Sequence, residues 1–300
     1  MNSLYRISGL KCSYDNGKHV VLEINDLELP AGQTIFIVGV SGIGKSTILE
    51  TLGMMTNTLH IPESTTLIFE NPLTGKRFNL VELWKMNDRA LSAFRNEHFS
   101  FIFQNTNLMN NLSAYENVQV TQLIQGKSFG ESLKRTREMF GVIGLGSVRE
   151  KQNVHSLSGG QRQRLAFCRA IAPDFSVLFG DEPTGNLDIT NARNVMDVLK
   201  KIISEKQRSA IIVSHDIDLA LTYGDMIVNI QKKYRACEDN IEKGEMEPYG
   251  FISRDSVMQR IDPKTWRYRE ASISSESLKN TLVEELLKSG NSETLKRNGN

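Results

Sequence analysis

Apolar positions along the chain follow two different periods. Leu22, Ile24, Leu27 and Leu29 stand two or three residues apart, and Pro30-Ala31-Gly32 follows as a turn. That spacing predicts a strand. Thr34 to Val38 (TIFIV) is a short apolar run rich in β-branched and aromatic residues, and a glycine ends it. Such a run predicts a strand buried on both faces. Beyond the loop at 39–46 the period becomes helical, in STILETLGMM. The buried-strand signature returns in FSFIF at 99–103, SVLFG at 176–180 and SAIIVS at 209–214, with helix-like segments between. Alternation of this kind predicts an α/β domain with a mostly parallel sheet.

Two regions depart from that rhythm. The stretch from about 105 to 172 lacks strong strand signals and predicts a helical subdomain. From Lys232 onward the chain turns polar and mixed in charge, although Leu278, Leu282, Val283, Leu286 and Leu287 share one helix face. The expected division is therefore a domain at 1–231 and a partly helical C-terminal extension at 232–300.

Composition narrows the field. The 300 residues, 39% hydrophobic and 24% charged, suffice for one or two domains with a sizeable core. A net charge of +1 gives no general attraction to nucleic acid, and no nucleic-acid partner is expected. Cys12, Cys168 and Cys237 are odd in number and far apart, which fits a reducing cytosol better than a disulfide frame or a zinc site. No run approaches the roughly 20 apolar residues that cross a bilayer, and the N-terminus is too polar for a signal peptide. If the chain serves transport, another chain supplies the membrane path.

The chemistry is concentrated in three short segments. Gly39-Val-Ser41-Gly42-Ile-Gly44-Lys45-Ser46 matches G-x-x-x-x-G-K-[ST] between a predicted strand and a predicted helix. Its glycines let backbone N–H groups curl around phosphate oxygens, and the following helix adds its positive end. Lys45 suits the β- and γ-phosphates of ATP, Ser46 suits Mg²⁺, and Thr47 continues the loop into the helix. Next, the apolar strand at 176–180 ends in Asp181 and Glu182. Parallel strands gather ligands at their carboxyl ends. Asp181 there suits the metal, and Glu182 suits polarisation of an attacking water. The third segment is Leu157-Ser158-Gly159-Gly160-Gln161, a capping box that opens a helix with two glycine N–H groups exposed.

This pentapeptide resembles the signature of the ABC ATPases, P-loop NTPases with an ABC-type nucleotide-binding domain, and the other motifs stand in that family's order over about residues 1–231. The resemblance implies that the signature of one subunit meets the γ-phosphate held by a second copy in a head-to-tail dimer. It also assigns the remaining positions. Tyr14 resembles the aromatic that stacks on adenine. Gln104, after FSFIF, resembles the glutamine that senses Mg²⁺ and the attacking water. Asp188, in G-N-L-D, resembles the aspartate that couples the two sites. His215, in V-S-H-D, resembles the histidine that contacts the γ-phosphate, whereas His19, His60, His98 and His155 read as structural. Phe179 and Gly180 stand where the family more often has aliphatic or small residues, a difference of packing.

The segment F-Q-N-T-N-L-M-N-N-L-S-A-Y-E-N-V looks like the pattern of one subgroup, the ATPases of lipoprotein release, macrolide export and cell division (LolD, MacB and FtsE). That likeness implies an ATPase on the cytoplasmic inner face of the cell membrane, working with a separate integral-membrane permease in export or extraction. A mechanotransmitter that switches an extracytoplasmic enzyme is the alternative. A soluble ABC ATPase acting on nucleic acid or ribosomes is a third, disfavoured by the single nucleotide domain and the absence of heptads. Leu108, Met109 and Leu112 suit either contact with the permease's coupling helix or packing inside the subdomain.

Overall fold

The computed structural model describes residues 3–14, 19–60, 65–185, 187–236 and 246–291. The four apolar runs form the strands Thr34–Val38, Phe99–Ile102, Val177–Asp181 and Ser209–Val213. With Met226–Asn229 they make a parallel block in which Thr34–Val38 lies between Met226–Asn229 and Ser209–Val213, followed by Val177–Asp181 and Phe99–Ile102. Period-two geometry divides the central strand between two cores. Phe36 and Val38 enter one buried cluster with the helical subdomain. Ile35 and Ile37 enter the other, with the helix Lys45–Leu52 and the second sheet.

That second sheet is antiparallel at its heart, so the expected mostly parallel arrangement describes only the first. Ser3–Ser13 pairs with Val20–Pro30 on one side and with Thr66–Glu70 on the other. Arg77–Asn79 and the short strand Leu59–His60 complete this side. Between 105 and 172 the chain forms the helices Ala114–Ile124, Phe129–Val142 and Gly159–Ile171. All three begin with a capping box, built on Ser113, Ser128 and Ser158.

The segment after 231 is more sheet than its composition suggests. The expected division at 231/232 falls at the start of the strand Gln231–Ala236, which pairs with Met246–Ile252. Met246–Ile252 in turn lies parallel to Val20–Pro30 and extends the antiparallel sheet. A meander of Val257–Asp262, Thr265–Tyr268 and Ala271–Ser274 then extends the other sheet beside Met226–Asn229. These peripheral strands are not buried along their whole length, which hides them from a search for continuous apolar runs. Met258 and Trp266 are fully buried while Arg267 is exposed. Gly250 packs against the phosphate loop itself, since a Cβ there would lie 2.2 Å from the Ile43 carbonyl oxygen.

The expected helix is Ser275–Asn291. Leu278 and Leu282 are fully buried in the first core and Leu286 packs against it, whereas Val283 and Leu287 face outward. Cys12 and Cys168 are buried free thiols, and burial pushes both thiol pKa values up. Cys237 lies outside the described residues. Among those residues no helix is long and apolar enough to cross a membrane.

Because Leu282 is sealed into the shared core, Leu282→Ala should cost about 2–5 kcal/mol in urea unfolding. A loss below ~0.5 kcal/mol, the range of an ordinary surface substitution, would show that the helix does not belong to the cooperative core.

Candidate functional site

Three loops leave the carboxyl ends of the parallel strands side by side. Val213 pairs with Ile37 through one edge and with Asp181 through the other. The phosphate loop, the acidic turn and the His215 loop therefore start at one level. Gly42 (φ 74°) and Gly44 (φ 99°) take left-handed backbone that curls the phosphate loop, and Gly44 caps the helix Lys45–Leu52. At Gly39 a Cβ would come within 3.0 Å of Ile43, so the loop closes tightly at its first residue as well.

Lys45 Nζ donates to the carbonyl oxygens of Gly39 (2.9 Å) and Val40 (2.8 Å). Burial lowers the Lys45 pKa, and the nearby Glu182 and Asp181 carboxylates oppose that shift. Ser46 Oγ donates to Asp181 Oδ2 at 3.0 Å. A cleft of about 280 Å³ brings Ser41, Gly42, Gly44, Lys45, Ser46 and Thr47 together with Gln104, Asp181 and Glu182. Tyr14 stands at the edge of this region. Its hydroxyl lies 3.1 Å from both Thr47 Oγ1 and Glu50 Oε2, and the residue is 55% exposed.

Glu182 is held in a strained position. Its φ of 48° is rare for a residue with a side chain. Its N–H donates to the Val213 carbonyl at 3.0 Å, which continues the strand pairing by one step. Glu182 Oε1 accepts from the His215 backbone N–H (3.1 Å) and lies 2.8 Å from His215 Nδ1. The His215 side chain is otherwise 74% exposed while that of Glu182 is only 13% exposed. Glu182 and His215 thus act as one unit, a contact that their separate motifs do not announce.

The signature lies elsewhere on the chain. Ser158 Oγ accepts from the Gln161 N–H at 3.2 Å, and the Ser158 N–H donates to Gln161 Oε1 at 2.9 Å. Gly159 is exposed, and a Cβ on it would meet nothing within 4 Å. None of residues 158–161 lines the phosphate cleft. One chain thus brings the phosphate loop, Gln104 and the acids together but leaves the signature outside. A residue that the motifs do not mark connects the two regions. Gln163, fully buried on the signature helix, donates from Nε2 to the Pro183 carbonyl at 2.9 Å. Its place two residues past the signature was the available signal. Asp188 caps the helix Ile189–Lys206, accepting from the Asn191 N–H at 2.9 Å. Those hydrogen bonds hold its carboxyl pKa below the usual range.

The family model described as ABC transporter matches residues 22–185. The lipoprotein-releasing system ATP-binding protein LolD of Colwellia psychrerythraea is 33% identical over 246 residues, covering 81% of this chain and 90% of that protein. The macrolide export ATP-binding/permease protein MacB 2 of Aeromonas hydrophila is 32% identical over 89% of this chain, which spans only 39% of that longer protein. A solved dimeric bacterial ABC transporter cassette superposes with a TM-score of 0.63 at 29% identity, covering 75% of this chain and 93% of the cassette. A second solved form, a post-hydrolysis dimer bound to ADP and Pi, gives 0.62 at 28% identity. With a family model over more than half of its length and LolD matched nearly end to end, the chain belongs to the ABC transporter ATP-binding family and is an ATPase of the LolD and MacB type.

Proposed function

We propose that two copies of this chain close head to tail around ATP and drive a separate integral-membrane permease from the cytoplasmic face, in export or extraction. The observation that carries this reading is the incomplete site. Phosphate loop, metal-side acid and water-side acid share one cleft, while the exposed signature helix start, an anion site by its free N–H groups, is not part of it. A second copy supplies what the first lacks. Its Ser158, Gly159 and Gly160 face the γ-phosphate, with Gln161 fixing the cap and Asp188 coupling the two sites.

Within each cleft, the N–H groups of residues 39–47 cradle the phosphates and Lys45 turns from its loop carbonyls to the β- and γ-oxygens. Tyr14 stacks on adenine. Ser46, Asp181 and Gln104 present the oxygen donors that suit Mg²⁺, a hard cation that neutralises phosphate charge when bound. Among the described residues no group of three or more His, Cys, Asp or Glu is arranged to hold a metal ion by itself. These donors therefore suit a cation that arrives with the nucleotide. Both His215 contacts use Glu182 Oε1, so Oε2 is the atom that accepts from the attacking water. His215 orients that carboxylate and reaches the γ-phosphate with its remaining ring nitrogen.

The permease contact falls beside the Gln104 loop. A groove of about 350 Å³ there is lined by Phe103, Asn107, Met109, Ile124 and Arg169 among others. Met109 is 42% exposed, whereas Leu108 packs on the core. Arg169 donates to the carbonyls of Thr106 and Asn107, so the loop that follows Gln104 is anchored to the helical subdomain. Motion of that subdomain and the state of the nucleotide cleft meet at this loop.

Glu182→Gln should bind ATP normally, lose about 10²–10⁴ in turnover and run as an ATP-dependent dimer in size-exclusion chromatography. Normal turnover in this variant would exclude Glu182 as the base. Ser158→Arg should spare nucleotide binding by the monomer yet abolish hydrolysis, and unchanged hydrolysis would refute the shared site. Tagged Glu182→Gln, recovered from solubilised native membranes with ATP, should bring down a permease. Recovery of ribosomes or DNA alone would overturn the membrane assignment.

A further inference from the structure

We propose that Arg260 and Lys279, both in the segment after residue 231, are positioning residues that set His215 by clamping the helix Ile217–Tyr223. The proposal rests on the reading of His215 as part of the ATPase site. The helix they grip starts two residues after His215 and is only 7 residues long. A helix that short has little stability of its own, and its last carbonyls need donors from elsewhere.

Arg260 supplies those donors. Its Nε donates to the Gly224 carbonyl at 2.7 Å and its Nη2 to the Leu221 carbonyl. Its charge also sits at the negative end of the helix, where a cation is favoured. The guanidinium lies over the ring of the buried Trp266, 4.4 Å from the centroid, and Nη1 reaches the Pro263 carbonyl at 3.2 Å. The fork is thereby held by two further contacts besides those to the helix. Lys279 grips the other end, with Nζ 2.6 Å from Asp218 Oδ1 in the first turn. Between these two grips the helix Ser275–Asn291 packs along Ile217–Tyr223, and Leu278 and Leu282 share a buried cluster with Leu219, Ala220 and Tyr223.

The position of this helix passes directly to the catalytic unit. Asp216 caps the helix by accepting from the Leu219 N–H at 2.9 Å, and the Asp216 N–H donates to Ser214 Oγ at 3.0 Å. His215 lies between these two anchors and holds Glu182 Oε1 through its backbone N–H and Nδ1. A slide or rotation of the helix must therefore shift His215 relative to Glu182. The family match ends at residue 185, so neither clamp residue belongs to the matched part.

The test is steady-state ATP hydrolysis by the purified full-length chain, with nucleotide affinity read separately by a fluorescent ATP analogue and folding by circular dichroism. Arg260→Met should lower kcat by about 10–10²-fold, the upper figure being the cost of a 1 Å misplacement of a reacting group, with KM and nucleotide affinity held within about twofold. Arg260→Lys should recover part of the loss. Lys279→Ala, a change at a half-exposed residue, should lower kcat about threefold, and Lys279→Arg should restore it. Unchanged kcat in Lys279→Ala and Arg260→Met, or an apparent kcat that returns to the parent value once corrected for the folded fraction, would overturn the clamp. His215→Ala distinguishes the two levels. Full hydrolysis in that variant removes the role of His215 and the clamp with it, whereas lost hydrolysis beside unaffected clamp variants overturns the clamp alone.

Discussion

Because Val213 pairs with Ile37 through one edge and with Asp181 through the other, three parallel strands end at one level and their loops emerge as neighbours. Every polar contact in the cleft depends on that register. Ser46 meets Asp181 only because the helix after the phosphate loop starts beside the end of Val177–Asp181. Glu182 donates its N–H to Val213 as though the sheet continued, and its backbone then turns into left-handed space. A slip of one residue in a parallel strand would reverse which side chains face the core. It would also carry Asp181 away from Ser46.

The same geometry gathers charges that would repel or desolvate one another if left alone. Asp181 and Glu182 are adjacent carboxylates, and Lys45 is partly buried between them and its own loop. Burial alone disfavours the ammonium, while the two acids favour it. The His215 contact restrains one carboxylate oxygen of Glu182. In the proposed reading, nucleotide binding adds negative phosphates to a cleft that already holds two acids, and the lysine and the loop N–H groups offset that repulsion. This balance explains why phosphate-loop residues, acids and Gln104 occupy one small volume rather than a wide surface.

Much of the site was legible because its motifs demand special backbone. Glycines at 42 and 44 are needed where φ is positive, and the Ser158–Gln161 pair is the pattern of a capping box that the structure contains. The buried strands were equally visible, since a strand covered on both faces is apolar throughout. The strands after 231 were not, for the same physical reason, although the helix Ser275–Asn291 was. These strands alternate buried and exposed positions, so Trp266 and Met258 stand as isolated apolar residues among polar ones. To strand pairing and core burial this segment adds long-range polar contacts, Arg260 to Leu221 and Gly224, and Lys279 to Asp218. No local period encodes such pairs. The Glu182–His215 contact was hidden in the same way, since it joins two motifs 33 residues apart.

The residues after 231 also alter what moves with what. Gly250 presses on the phosphate loop at Ile43, and Lys279 holds the helix that follows His215. The segment after 231 therefore touches the phosphate loop and the helix that follows the His215 loop. In the proposed dimer, closure is driven by contacts between the γ-phosphate and the other copy's signature. The phosphate and His215 loops must resist that pull if closure is to be passed to the helical subdomain rather than absorbed locally. Gly250 restrains the first loop by steric contact, since a backbone that close cannot be approached further. Arg260 and Lys279 restrain the second by polar contacts at both ends of a short helix. Among the described residues, no comparable brace from this segment reaches the Gln104 loop. It is tied instead to the helical subdomain through Arg169, so in the proposed dimer displacement of the loop passes to that subdomain.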